Sequence, residues 1–164
     1  MKSIILFMAI YAVICVLLYR RRINKQKKNK KVAGKGMAIF VAGILLIACT
    51  YSAMLLDTHS LMVEVKDAFE GKIPVEVTKG KPLDNYNVRD RALRFGVELG
   101  ETEVSLIRYF TIHSFKDGYI WAFYTNKAFD TSGKQFDGSG WIQTKWKIRK
   151  EDGKWDIVEI FEAP

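Results

Sequence analysis

The chain has 164 residues and a formal charge of +8, and its charges are distributed unevenly. All 18 acidic residues follow Leu56, so residues 1–56 carry +10 and residues 57–164 carry −2. A basic isoelectric point usually suggests a nucleic-acid partner, but the near-neutral C-terminal part argues against one. Both cysteines, Cys15 and Cys49, lie in apolar segments, which excludes a disulfide within residues 57–164.

Two apolar segments predict a membrane hairpin in residues 1–56. Residues 37–56 contain no charge, and a helix of this length spans about 30 Å, the thickness of the hydrocarbon core. Residues 4–19 span about 24 Å, which suffices if the arginines that follow reach the headgroups. A secretory signal peptide is the alternative for this first segment, but it lacks a small-residue cleavage site and ends in three arginines. We therefore predict two transmembrane helices.

The acid-free segment between the two helices, residues 20–36, predicts the topology. Lysines and arginines near membrane-spanning segments stay on the cytoplasmic side, so we expect a cytoplasmic loop with both termini outside the cell membrane. Each cation near anionic headgroups contributes about 1 kcal/mol, which makes the lipid bilayer the expected partner of this loop. The predicted topology determinants are Arg20, Arg21, Arg22, Lys25, Lys27, Lys28, Lys30, Lys31 and Lys35.

The tetrapeptide Leu46-Ile47-Ala48-Cys49 is similar to a bacterial lipoprotein box, in which the cysteine becomes a lipidated N-terminus. Lipidation of Cys49 is therefore an alternative to an intact second helix. The apolar residues that follow it favour the intact helix, because lipoproteins usually become polar after the cysteine.

Residues 57–164 predict an extracytoplasmic α+β domain that begins with helices. Asp57-Thr58 predicts the N-cap of an amphipathic helix that ends near Gly71. Alternation over residues 73–77 predicts a short edge strand. Asn87 predicts the start of a second helix that ends before Gly100.

A period of two from Val104 onward predicts four strands, with Asp-Gly dipeptides in the connecting turns. We therefore expect one or two helices packed on a four-stranded antiparallel curved sheet, with Trp146 and Ile148 in the core. The second strand is apolar on both faces, which indicates helices on one face and a pocket or partner on the other, or else strong curvature that covers the inner face. The predicted strands are residues 103–115, 119–129, 141–150 and 155–161, with a loose loop over 131–140.

The C-terminal stretch Gly140–Glu162, GWIQTKWKIRKEDGKWDIVEIFE, resembles the last hairpin of nuclear-transport-factor-2-like (NTF2-like, cystatin-like) domains. The resemblance implies a curved sheet wrapped on helices. It also implies a binding or assembly module, as in most extracytoplasmic members, some of which serve secretion and conjugation machinery. Some soluble members are enzymes with a pocket His or Asp, but no catalytic motif of theirs has a counterpart here.

Few residues carry recognisable chemistry. His113 is a weak catalytic candidate, predicted on the same strand face as Tyr109 and Thr111, with no partner to orient it. The basic patch around Arg91 is interpreted as a solvated helix face. No metal-ligand set, phosphate loop or cofactor motif is present in the sequence, so no cofactor is expected.

These patterns predict a small bacterial multi-pass membrane protein that presents a non-catalytic extracytoplasmic binding or assembly domain. We expect its partner to be another membrane or envelope protein. The alternatives are a membrane-anchored enzyme with a pocket in the curved sheet and a ligand-sensing regulator.

Overall fold

A computed structural model describes Arg21 and residues 30–162. The chain divides into two compact units, residues 1–53 and 54–164. The first predicted transmembrane helix, residues 4–19, lies outside the described residues. So do five of the predicted topology determinants, Arg20, Arg22, Lys25, Lys27 and Lys28.

Helix α1 spans Lys30–Asp57 and therefore begins within the stretch predicted as a loop, which places Lys30, Lys31 and Lys35 in its first turns. Its segment Ile39–Asp57 has a mean hydropathy of 2.3 and is long and apolar enough to cross a membrane. Only 6 % of that stretch is buried. In the part of the chain that the structure describes, this is the one helix with these properties.

Four short helical elements follow α1 before the first strand. They are α2 His59–Phe69, α3 Val75–Thr78, a 3₁₀ helix Pro82–Tyr86 and α4 Val88–Phe95.

Two local predictions for these elements were wrong, and a third is confirmed only in position. The predicted strand over residues 73–77 is instead the helical turn α3 that follows Pro74. Thr58 occupies the N-cap position of α2 as predicted, but it makes no side-chain capping bond, because its hydroxyl donates to the Met54 carbonyl oxygen of the preceding turn at 2.9 Å. Helix α4 ends at Gly96, whose φ of +66° suits glycine, rather than near Gly100.

The prediction of an α+β domain with four antiparallel strands is confirmed. Strands β1 Leu99–His113, β2 Asp117–Asp130, β3 Gln135–Glu151 and β4 Lys154–Glu162 form one sheet in the order β1-β2-β3-β4. Strand β3 starts earlier than predicted, because residues 137–139 of the expected loop pair with β2. The β3–β4 turn has positive φ at Asp152 and Gly153, as an Asp-Gly hairpin turn requires.

The helices of the second unit pack on one face of this sheet and form the core with it. Trp146 and Ile148 are fully buried, as predicted. The ring of Tyr86 lies 4.8 Å from that of Phe69 and 5.8 Å from that of Trp146, measured between centroids. Aromatic side chains therefore fill the space between the helices and the sheet.

Candidate functional site

The face of the sheet opposite the helices exposes a set of aromatic side chains. Successive residues of a strand point to opposite faces, so the buried Ile120, Ala122 and Tyr124 of β2 put their neighbours on this free face. We call the following set the aromatic face: Tyr109 and Phe110 of β1, Tyr119, Trp121 and Phe123 of β2, Trp141 and Lys145 of β3, and Phe161 of β4.

A β-bulge in β1 enlarges this surface. The pairing of β1 with β2 shifts between Arg108 and Phe110, which leaves Tyr109 as an extra residue opposite β2. Tyr109 stacks on Phe123 and Phe110 contacts Trp121, so both neighbours lie on the free face. The predicted grouping of Tyr109 with Thr111 and His113 was therefore wrong, because a strict period of two does not continue through a bulge.

Three rings form a row across the first three strands. Phe123 lies between Tyr109 and Trp141, with centroid distances of 4.8 Å and 5.1 Å and interplanar angles of 27° and 19°. Because the rings stack on each other across neighbouring strands, they stand upright on the sheet and turn their edges to solvent. Trp141 remains 61 % exposed. Such a row provides a large apolar contact area with a fixed shape.

Lys145 lies among three further rings of the same face. Its ammonium nitrogen is 4.4 Å from the centroid of the Tyr119 ring, 5.2 Å from that of Phe161 and 5.5 Å from that of Trp121. At these distances the ring faces attract the cation. None of the ion pairs found among the described residues includes Lys145. The centre of the aromatic face therefore carries one positive charge held by π-systems alone.

Ion pairs surround this centre on the same face. Lys147 lies 3.4 Å from Glu159, Arg149 lies 3.2 Å from Asp117, and Lys127 lies 2.9 Å from Glu103. All three pairs are solvent-exposed, and such pairs contribute about 0–1 kcal/mol each. The face thus has an aromatic centre and a rim of mutually neutralised charges.

His113, the weak catalytic candidate, lies at the end of β1 with its side chain only 9 % exposed. Nδ1 is 2.8 Å from the Ser114 carbonyl oxygen, and Nε2 is 3.2 Å from that of Met54. Its ring also lies 4.6 Å from that of Trp155, and Nε2 is 3.8 Å from the Asp57 carboxylate. Both ring nitrogens face main-chain carbonyls, so the contacts link β1 to the last turn of α1.

A polar network crosses the core between the 3₁₀ helix and the last strands. The Tyr86 hydroxyl accepts from Trp146 Nε1 at 2.7 Å and donates to the Glu162 carboxylate at 2.9 Å. The Tyr124 hydroxyl donates to the same carboxylate at 3.0 Å. Burial raises the pKa of both tyrosines well above the ordinary value, so both hydroxyls remain donors at neutral pH.

Arg91 departs from its predicted place on a solvated patch. Its Nη1 lies 2.7 Å from the Asp137 carboxylate, and Asn126 donates to the same carboxylate at 3.4 Å. The guanidinium carbon also lies 6.0 Å from the Phe69 ring centroid. This ion pair joins α4 to β3, and no sequence pattern indicated it, because its partners come from separate elements.

The remaining features offer fewer groups that could react or bind a ligand. A cleft of about 300 Å³ between the 3₁₀ helix and β4 is lined by Leu61, Pro82, Ile157 and charged neighbours. Cys49 is exposed on α1. The described residues contain no cluster of three or more metal-ligating side chains.

No protein-family model matches the sequence, and no curated protein sequence matches it.

Proposed function

We propose that this chain is a bacterial multi-pass membrane protein whose residues 57–164 form a non-catalytic binding or assembly module outside the cytoplasm. The aromatic face is the observation that carries this proposal. Protein interfaces are enriched in Tyr, Trp and Phe at their centre and have a polar rim, and the aromatic face has both properties. Its partner is another membrane or envelope protein that covers the row Tyr109–Phe123–Trp141.

The properties of α1 support membrane anchoring. Its apolar side chains are largely exposed, with Leu45 at 58 % and Leu46 at 66 %, and the bilayer supplies the apolar surroundings that these residues lack in the protein. The cations of residues 20–35 favour a cytoplasmic loop by the positive-inside rule, and the apolar residues 4–19 are the proposed other transmembrane helix. Both termini then lie outside.

The architecture of the second unit supports a binding module of the NTF2-like kind. Helices that pack on a curved four-stranded antiparallel sheet are compatible with that fold, which the C-terminal Trp hairpin also resembles. The rings of Phe69, Tyr86 and Trp146 fill the space between the helices and the sheet, which is where the alternative of an enzyme would need a pocket. Binding on the outer aromatic face is therefore better supported than catalysis inside the sheet.

Photo-crosslinking in the native membrane tests this function. We expect benzoylphenylalanine at Trp141 to crosslink a specific membrane or envelope protein. Leu93 is the matched control position, because it is 69 % exposed and lies on α4, away from the aromatic face. Equal crosslinking from both positions, or none from Trp141, contradicts the proposed role of the face.

Trp141→Ala measures how much the face contributes to binding. Truncation of a central interface Trp costs about 2 kcal/mol, which weakens binding roughly thirty-fold, so co-purification of the crosslinked partner should fall accordingly. Leu93→Ala should leave recovery unchanged.

A further inference from the structure

The two most exposed large apolar side chains of the described residues lie at one end of the second unit. Phe115, in the β1–β2 turn, is 94 % exposed, and Leu56, in the last turn of α1, is 76 % exposed. Single exposed apolar residues are common on protein surfaces. Two such highly exposed apolar residues at the same end of the unit indicate a surface that is normally shielded from water.

A set of hydrogen bonds fixes the β1–β2 end of the sheet to the last turn of α1. His113 Nε2 lies 3.2 Å from the Met54 carbonyl oxygen. Phe115 follows His113 by two positions in the sequence, and Leu56 follows Met54 by two. Arg108 donates to the Leu55 carbonyl oxygen at 3.1 Å. Asp57 accepts from both Lys150 and Trp155 at 2.8 Å. The turn that carries Phe115 therefore lies beside the residues at which the apolar segment Ile39–Asp57 ends.

We infer that the β1–β2 turn rests on the bilayer, with the Phe115 ring inserted at the boundary between headgroups and acyl chains. This inference depends on the proposed membrane-spanning role of α1. Aromatic side chains concentrate at this depth of a membrane. The adjacent Lys116 is exposed and lies where its ammonium meets lipid phosphates. The lipid surface thus covers Phe115 and Leu56, which the protein itself leaves exposed.

Nitroxide labels on the full-length chain test this contact. The starting protein carries Cys15→Ala and Cys49→Ala and is reconstituted in vesicles of phosphatidylcholine and phosphatidylglycerol. Labels are attached at Lys116→Cys, at Ser132→Cys in the β2–β3 turn at the opposite end of the strands, and at Leu45→Cys within α1. The measurement is the accessibility of each label to oxygen, which enriches in lipid, and to a water-soluble nickel chelate.

We expect the label at 116 to show several-fold higher oxygen-to-nickel accessibility than the label at 132, and Phe115→Ala to remove most of that difference. If the label at 45 is inside the bilayer while 116 and 132 behave alike, the inference is overturned and the anchor stands. If the label at 45 is in water, the anchor itself fails. If 116 is immersed but Phe115→Ala changes nothing, the inferred insertion of the Phe115 ring is overturned.

Discussion

The Tyr86 hydroxyl joins residues that are far apart in the sequence. It accepts a hydrogen bond from Trp146 and donates one to Glu162, and its ring packs on Phe69. A buried indole N–H that loses its acceptor costs more than an average hydrogen bond, because it must leave water without compensation.

We therefore expect Tyr86→Phe to lower the free energy of unfolding by about 1–3 kcal/mol, since it leaves Trp146 Nε1 unsatisfied. Denaturant unfolding followed by tryptophan fluorescence measures the change. Tyr109→Phe is the control, because, among the described residues, the Tyr109 hydroxyl is hydrogen-bonded only to the exposed Gln143. A loss at Tyr86 no larger than at Tyr109 would show that the network does not stabilise the core.

Sequence alone predicted some of these residues and missed others. Burial of Trp146 and Ile148 followed from strand alternation, and the structure confirms it. The network of Tyr86 and the ion pair of Arg91 could not be predicted, because their partners lie on separate elements whose packing no local pattern encodes. The contacts of His113 with the last turn of α1 depend on tertiary structure in the same way.

At the scale of elements, Asn87 combines a local and a tertiary role. Its Oδ1 accepts from Arg89 N at 3.0 Å at the start of α4, as the sequence predicted. Its Nδ2 donates to the Thr78 hydroxyl at 2.8 Å and to the Ile73 carbonyl oxygen at 3.3 Å. The same side chain thus caps α4 and fastens the segment around α3 to it.

We expect Asn87→Ala to destabilise the second unit by about 2 kcal/mol, the upper part of the range for helix caps, because the residue is fully buried. Asn85→Ala is the matched control at an exposed position in the 3₁₀ helix. Thermal unfolding followed by circular dichroism compares the two. Equal midpoints would refute a stabilising role for the cap.

The strands were predicted better than the short elements that precede them. Long apolar alternation and Asp-Gly turns carry a strong signal, so all four strands overlap their predicted ranges, although β3 begins six residues earlier than predicted. Residues 73–77 alternate too, but the segment is too short to distinguish a strand from the helical turn α3. Residues 137–139 contain a turn-like glycine, yet pairing with β2 overrides their local preference.

At the scale of the whole molecule, the charge distribution predicts a membrane topology that labelling can test. We expect Ser132→Cys to react with a membrane-impermeant maleimide in intact cells, because residues 57–164 lie outside in the proposed topology. Lys28→Cys, in the basic segment, should react only after permeabilisation. Both variants carry Cys15→Ala and Cys49→Ala. The opposite labelling pattern would show that the hairpin has the reverse orientation in the membrane.

The bulge in β1 adds a residue that the pairing of the sheet does not use but that its free face displays. Arg108 and Thr111 both point toward the helices, and two residues lie between them. In a strand with regular alternation, one residue would lie between two side chains on the same face. Removal of Tyr109, the residue without a partner in β2, by a single-codon deletion would therefore leave every other side chain of β1 on its present face. The sheet does not require this residue for its pairing. Its contribution is one additional ring on the aromatic face, stacked on Phe123, so this residue serves that surface rather than the pairing of the sheet.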